Sequence, residues 1–310
     1  MPILYNPYKK KGVFMIPAGG LGPSVSADFS YSKSSYHQGE ANPTPTITGT
    51  PGGSFVCTSG AVFVDTGSTS SSTGQIDLDA STIDTHLISY TVDSVTATAN
   101  VGITASPFIA NTFSMQFDGI NDYIDVGNPS SLQITGNLTL STWVKTSMSS
   151  TGFVISKDNL SNRNYGLVVV MDGGVLRARF FIVKSNTLVN VTSTTINVGD
   201  NNWHHIVGVN DGTDLKIYVD GNLENTNSGA GGTIDNDSVN LNIGRRGDNN
   251  LFFSGKLDEA AIWNTALSSD AVTEIYNATA NNTGKVLDLT QDSGNYNASS
   301  NLQYFNRLGD

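Results

Sequence analysis

An all-β chain of two sandwiches in series is the fold class that this sequence predicts, and three features carry the prediction. Short β-branched and aromatic runs recur between clusters of Gly, Pro, Asn and Asp, a spacing typical of sandwiches and barrels. Charged residues make up only 14% of the chain, against roughly 25% in ordinary soluble domains, and Gly, Ser, Thr and Asn fill the difference. At 310 residues the chain exceeds one small sandwich and suits two modules, each able to bury a core of its own.

The elements follow in order. Residues 1–27 hold Pro2, Pro7, Pro17, Pro23 and a Gly19-Gly20-Leu21-Gly22 stretch, which forbids regular helix and predicts an extended arm. Its apolar residues, with Tyr5, Tyr8, Phe14 and Ile16 foremost, are too many for a solvated linker. Together with Lys9, Lys10 and Lys11 they predict an arm that docks on a neighbouring subunit or on its own domain. Residues 28–106 carry β-rich runs at 28–31, 46–48, 54–57, 62–65, 75–78, 86–92 and 96–104, with Pro43, Pro45 and Pro51-Gly52-Gly53 marking turns. Pro107 stops the last of these, so 106–111 is the expected junction, and its shortness predicts modules held rather than swinging.

The second module, 113–278, is a series of strands joined by Asp-Gly turns. Asp172-Gly173 separates 165–171 from 175–181, Asp211-Gly212 separates 203–209 from 215–219, and Asp220-Gly221 follows directly. One helix is predicted near residue 270, capped by Ser268 or Asp270, with Val272, Ile275 and Tyr276 on one face. The extension 279–310 contains two β-like pieces, 285–289 and 302–308, that complete a sheet or contact a neighbour.

Composition excludes several function classes. The net charge is −11, which opposes the phosphate contacts that nucleic acids require. A single cysteine, Cys57, allows no internal disulfide and no thiolate metal site. There is no apolar run of about 18 residues to span a membrane, and residues 1–22 do not follow the pattern of a signal peptide.

Two resemblances sharpen the picture. Tyr36-His37-Gln38-Gly39-Glu40-Ala41-Asn42-Pro43-Thr44-Pro45, with Thr48-Gly49-Thr50-Pro51-Gly52-Gly53-Ser54-Phe55 and Ser72-Thr73-Gly74-Gln75-Ile76-Asp77-Leu78, resembles immunoglobulin-like repeats of bacterial surface adhesins. Those repeats commonly hold cysteine where His37 stands, so a disulfide or redox role is not implied here. In the second module, Phe117-Asp118-Gly119-Ile120-Asn121-Asp122-Tyr123-Ile124, Leu138-Thr139-Leu140-Ser141-Thr142-Trp143-Val144-Lys145, Trp203-His204-His205-Ile206-Val207, Leu215-Lys216-Ile217-Tyr218-Val219-Asp220-Gly221, and 253–263 closing on Asp258-Glu259-Ala260-Ala261-Ile262-Trp263 occur in order. This series resembles the laminin-G/pentraxin-like family of concanavalin-like jelly rolls. Trp143, Trp203, Tyr218 and Trp263 are expected to point inward between its two sheets.

The resemblance implies binding rather than catalysis. It implies a calcium ion held by Asp118, Asn121, Asp122 and Asp258, since such an ion takes several oxygen ligands from loops. It also implies recognition of glycans or proteins at rim loops 158–164, 225–237 and 245–250, with Asn162, Arg163, Arg245, Arg246, Asp248 and Asn249 as the candidate contacts. A glycosidase needs two carboxylates across a cleft, yet Glu40, Glu224, Glu259 and Glu274, the only glutamates, are scattered. His204 and His205 are neighbours on a strand, so their rings face opposite ways and cannot share an ion. No Gly-x-Ser-x-Gly elbow occurs, and the Asn-x-Ser/Thr triplets at Asn137, Asn190 and Asn277 reflect an Asn/Thr-rich composition.

Adhesion-type modules, an apolar arm and no export pattern together predict a bacteriophage virion protein. It would be a capsid decoration or head fibre, or a tail adsorption appendage, made in the host cytoplasm and homo-oligomeric through the symmetry of its site. Its partners would be other virion proteins through the arm and a host-surface glycan or protein through the jelly roll. A secreted bacterial glycan-binding adhesin is the alternative, and a glycoside hydrolase a third.

Overall fold

The computed structural model describes residues 24–280 and 284–309. The chain divides into two compact units, Met1–Ser106 and Pro107–Asp310. The arm residues Tyr5, Tyr8, Lys9, Lys10, Lys11, Phe14 and Ile16 lie outside the described residues.

The first unit contains β1 (Phe29–Ser30), β2 (Ser35–His37), β3 (Thr46–Ile47), β4 (Ser54–Cys57), β5 (Val62–Phe63), β6 (Ser70–Ser71), β7 (Ile76–Asp77), β8 (Asp84–Val92) and β9 (Val95–Thr104). A five-stranded sheet runs β2-β9-β8-β4-β6, and β1-β3 and β5-β7 form two-stranded ribbons. β2 lies parallel to β9, while the other pairs are antiparallel. Alternation in β8 sends His86, Ile88, Tyr90 and Val92 inward and leaves Leu87 exposed, as a sheet with one buried face requires. Ile88, Tyr90 and Val92 pack with Phe55, Phe63, Ile76 and Leu78. Tyr90 also donates its hydroxyl to the Thr50 carbonyl at 2.8 Å, tying down the Pro51-Gly52 turn.

The second unit contains β10 (Phe108–Ala110), β11 (Met115–Asp118), β12 (Ile124–Gly127), β13 (Leu138–Lys145), β14 (Gly152–Asp158), β15 (Arg163–Asp172), β16 (Val175–Lys184), β17 (Thr187–Thr192), β18 (Trp203–Asn210), β19 (Leu215–Val219), β20 (Asn222–Asn227), β21 (Leu241–Ile243), β22 (Ser254–Trp263), α1 (Ser269–Ala280), β23 (Lys285–Leu287) and β24 (Leu302–Asn306). One sheet runs β11-β22-β13-β18-β19-β20, with β24 also paired to β22, and the facing sheet runs β12-β21-β14-β15-β16-β17. Phe108–Ala110, within the expected junction, pairs antiparallel with Lys285–Leu287. The two β-like pieces of the C-terminal extension are thus β23 and β24, and both are paired within this unit.

Turn chemistry sets the registers. Asp172 pairs with Val175, so Gly173 and Gly174, at φ 58° and 85°, are the two central residues of the hairpin, a turn that needs positive φ at both. Val219 pairs with Asn222 across Asp220 and Gly221, at φ 51° and 77°. Helix α1 begins where the Ser268 hydroxyl accepts from the Ala271 amide at 3.1 Å. It buries Ala271, Val272, Ile275 and Ala278.

One expectation is corrected. The inter-sheet core is filled by Phe117, Tyr165, Phe180 and Phe253 among aliphatic side chains. Trp263 and Tyr218 instead belong to a second cluster with α1, Val207, Val209 and Tyr296, and Trp143 stacks on Tyr276 of the helix at 5.7 Å. These rings occupy the outer face of the β11-to-β20 sheet. Alternation specifies which residues share a face, but this sheet is apolar on both faces because α1 and the C-terminal segment cover the outer one. Hence β13 is buried at seven of its eight positions, and parity alone could not say which set faced the other sheet. Trp263 is fully buried and donates its indole N–H to the Tyr296 hydroxyl at 2.9 Å, so the ring's burial is worth roughly 4–6 kcal/mol of transfer free energy.

Candidate functional site

Strand pairing gathers a polar basin at one end of the second unit. β21 lies between β12 and β14, with Asp125 opposite Asn242 on one side and Ser156 opposite it on the other. The loops leaving these strands therefore converge. Asp125, Asn159, Ser238, Asn240, Asn242 and Arg245 line a basin of about 240 Å³. The Asn240 amide donates to both carboxylate oxygens of Asp125, at 3.1 and 3.2 Å. Arg245 donates Nε to Asn242 Oδ1 at 3.0 Å and an Nη to Asn249. Its guanidinium lies 3.2 Å from the centre of the Tyr123 ring, a contact that fixes the planar cation on an aromatic face.

Beneath the basin, Lys157 is wholly buried on β14. Its ammonium donates to Asn128 Oδ1 at 2.6 Å and to the Val239 carbonyl at 2.7 Å, clamping the loop after β12 to the loop before β21. Burial pulls its pKa down to about 8, against a pull upward from Asp237. A buried charge needs partners of this kind, and the clamp gives the basin a rigid floor.

Most of the rim candidates do come together. The Gly247 amide donates to the Asp158 carbonyl at 2.8 Å, joining loops 158–164 and 245–250. Arg163 forms a forked pair with Asp158, whose carboxylate is fully buried, through Nε and Nη2, both at 2.9 Å. Arg246 does the same with Asp248 at 2.9 and 2.8 Å, which holds the Asp248 carboxyl below its ordinary pKa and raises that of Arg246. Asn162 donates its amide N–H to Asn159 Oδ1 at 2.7 Å. Leu160, 56% exposed, sits between them at φ 71°, a strained conformation for leucine that the loop's hydrogen bonds hold. Arg163, Arg246 and Asp248 thus brace the loops, and of the predicted contacts Arg245 alone lines the basin. Asp125, Asn240 and Asn242 escaped the sequence reading because their meeting depends on β12 and β14 both flanking β21, a long-range pairing with no local signature.

The predicted calcium ligands do not form one set. Asp118 Oδ1 accepts from the amides of Ile120 and Asn121 at 2.7 and 3.2 Å, and Asp122 Oδ2 accepts from the Asp118 amide at 2.9 Å. These bonds close a tight turn and hold the Asp118 carboxyl below its usual range. Asp118 pairs with Ser254, and Asp258 is four residues further along the same strand, roughly 13 Å away at the rise of a β-strand. Asp258 instead accepts from Asn111 at 3.1 Å. Among the described residues no group of three or more His, Cys, Asp or Glu is placed to hold a metal ion.

The adjacent histidines have separate partners. His204 lies between Asp220, 2.8 Å from Nδ1, and Asp200, 3.0 Å from Nε2, which raise its pKa. His205, buried, has the Ser141 hydroxyl 2.8 Å from Nε2, and burial drives its pKa down to about 4. Among the described residues no helix is long and apolar enough to cross a membrane.

Comparison with known proteins accords with this architecture. The zebrafish (Danio rerio) adhesion G-protein coupled receptor V1 is 29% identical over 154 residues, 48% of this chain but 2% of the receptor, so the chain spans a small fraction of that relative. A crystal structure from Bacteroides ovatus, of a protein provisionally assigned to carbohydrate binding, superposes with a TM-score of 0.54 at 13% identity, over 90% of this chain and 88% of that one. The heptameric SAP-like pentraxin of Limulus polyphemus gives a TM-score of 0.44 at 16% identity, over 54% of this chain and 82% of its own. A family model described as the concanavalin A-like lectin/glucanases superfamily matches residues 118–273, half of the chain. With that match falling on the two facing sheets, the chain belongs to the concanavalin A-like lectin/glucanase superfamily.

Proposed function

We propose that this chain is a non-enzymatic binding protein whose jelly roll engages carbohydrate at the basin formed by Asp125, Asn240, Asn242 and Arg245. The observation that carries the reading is the composition of that basin: carboxylate, amide and guanidinium groups on a braced floor, with Tyr123 beside them. Sugar hydroxyls both donate and accept, and a lining of acids and amides matches them in both senses. The lining's opposed charges, one acid and one guanidinium, suit a neutral ligand better than a strongly ionic one. The Bacteroides ovatus fold relative supports the same reading. The reading does not run through calcium, because the family-implied ligands do not converge.

A glycan array on the full chain, followed by calorimetry with the strongest hit, tests it. Asp125→Ala combined with Asn240→Ala is expected to weaken that hit at least tenfold while leaving the melting midpoint nearly unchanged. Undiminished binding by the double variant would overturn the assignment of the basin.

The first unit is proposed to be an immunoglobulin-like sandwich serving as a spacer, supported by the parallel pairing of β2 with β9 beside an otherwise antiparallel sheet. Placement on a phage particle, as head fibre, capsid decoration or tail appendage, is a narrower proposal drawn from the apolar arm of residues 1–27 and its Lys9-Lys10-Lys11 cluster. Deleting those residues is expected to abolish attachment to particles, and wild-type attachment without them would dismiss it.

A further inference from the structure

We propose that a second cleft, on the outer face of the β11-to-β20 sheet beside the C-terminal end of α1, is a subsite for a neutral sugar ring; the proposal rests on the carbohydrate reading above. Phe113, Trp143 and Trp203 supply its aromatic walls, Asn111 and Asp258 its polar edge, and its volume is about 360 Å³, within the range of small-ligand sites. It is separate from the basin and shares no lining residue with it.

Two of its rings are held in solvent. Phe113 is 65% exposed and Trp203 36% exposed, whereas Trp263 is completely buried. Trp143 forms a fixed wall, stacked on Tyr276 at 5.7 Å and 21° and lying 5.1 Å from the His205 ring. Trp203 opens β18 opposite Lys145, and the preceding Asn201 donates its amide to the Thr146 carbonyl at 2.9 Å, so the ring springs from a pinned turn. A ligand therefore meets aromatic faces that are already in place, and loses little of its binding energy to ordering them.

The polar edge selects the chemistry. Asn111 Nδ2 donates to Asp258 Oδ2 and to Glu259 Oε1, both at 3.1 Å, and the Glu259 amide donates to Asp258 Oδ1 at 2.9 Å. Among the described residues, Asp258 is the one charged residue lining the cleft and no lysine or arginine does, so phosphate, sulfate or carboxylate ligands would meet repulsion. A purely hydrocarbon ligand would strip water from the carboxylate without replacing its hydrogen bonds. A pyranose satisfies both walls, laying its C–H face on an indole or phenyl ring while its hydroxyls donate to the Asp258 carboxylate.

The test uses the full chain labelled with ¹⁵N and a panel of soluble neutral gluco-, galacto-, manno- and xylo-oligosaccharides. The three tryptophan indole signals, from Trp143, Trp203 and Trp263, are the readout, with Trp263 also reporting that each variant is folded. At least one oligosaccharide is expected to shift the Trp203 and Trp143 signals and leave Trp263 in place. Trp203→Ala and Phe113→Ala should each weaken that response at least tenfold, and Asp125→Ala with Asn240→Ala should preserve it. Binding that is abolished by the basin variant, kept by Trp203→Ala and silent at the Trp203 indole would overturn the second subsite and leave the basin standing. Absence of any response across the panel, by indole shift or calorimetry, would overturn both.

Discussion

Acid stability offers the sharpest check on the packing of the second unit, through His205. Its ring is buried against Trp143 and Tyr276, at 5.1 and 6.3 Å, and burial lowers its pKa from 6.5 to about 4. In the unfolded chain the imidazole protonates as the pH falls below 6.5, whereas in the folded chain it stays neutral until about 4. The folded-state pKa is depressed, so the contribution is present above pH 6.5 and lost as the pH drops. At pH 5 the loss is about 2 kcal/mol, and at pH 4 it reaches about 3 kcal/mol. His204 does not blur the window, because its raised pKa makes its stabilisation complete below 6.5 and lost only at higher pH. The carboxylates that the fold depresses, Asp200 to about 2 among them, act chiefly below their unfolded values near 4 and are common to any variant. His205→Phe keeps a ring in the stack and removes the titrating nitrogen. Urea unfolding followed by tryptophan emission reports on this unit alone, since Trp143, Trp203 and Trp263 all lie beyond Pro107. Between pH 6.5 and 5 the wild type should lose about 2 kcal/mol more than His205→Phe. Parallel curves would refute the inference that this ring is buried and uncharged.

Three further outcomes are expected. Gly208 on β18 packs under the Phe180 ring, and a methyl group there would overlap it; Gly208→Ala should cost about 1–3 kcal/mol in the same urea assay, and a neutral result would show that the sheets are looser than described. Lys157 has a folded-state pKa near 8 against 10.5 unfolded, so the fold disfavours its charged form and its contribution to stability rises as the pH climbs from 8 towards 10.5. Lys157→Met should flatten that rise in unfolding free energy, and an unaltered slope would show that the ammonium is solvated. Excess calcium and excess chelator should give the same melting midpoint, and a calcium-dependent rise of several degrees would show that Asp118 and Asp122 find oxygen partners other than Asp258.

Much of this molecule is readable without coordinates, because strand alternation, Asp-Gly turns and the Ser268 cap are local. The hairpins 165–171 with 175–181 and 203–209 with 215–219 correspond to β15-β16 and β18-β19, since two- to four-residue turns leave the flanking strands no other antiparallel partner nearby. The candidate site divides differently. Arg245 was legible as a polar rim residue, but its contact with Tyr123 links positions more than a hundred residues apart, and Asp125 meets Asn240 across a similar separation.

The sequence by itself determined that the chain is β-built, where its turns fall, and which residues of each strand share a face. Only the tertiary structure decided which of those faces meets the other sheet, since a helix and a C-terminal strand cover the second face and make both equally apolar. It also decided which polar loops converge, because the pairing of β12, β21 and β14 is set by the joint packing of two sheets, and no single segment encodes a contact whose free energy depends on all the others.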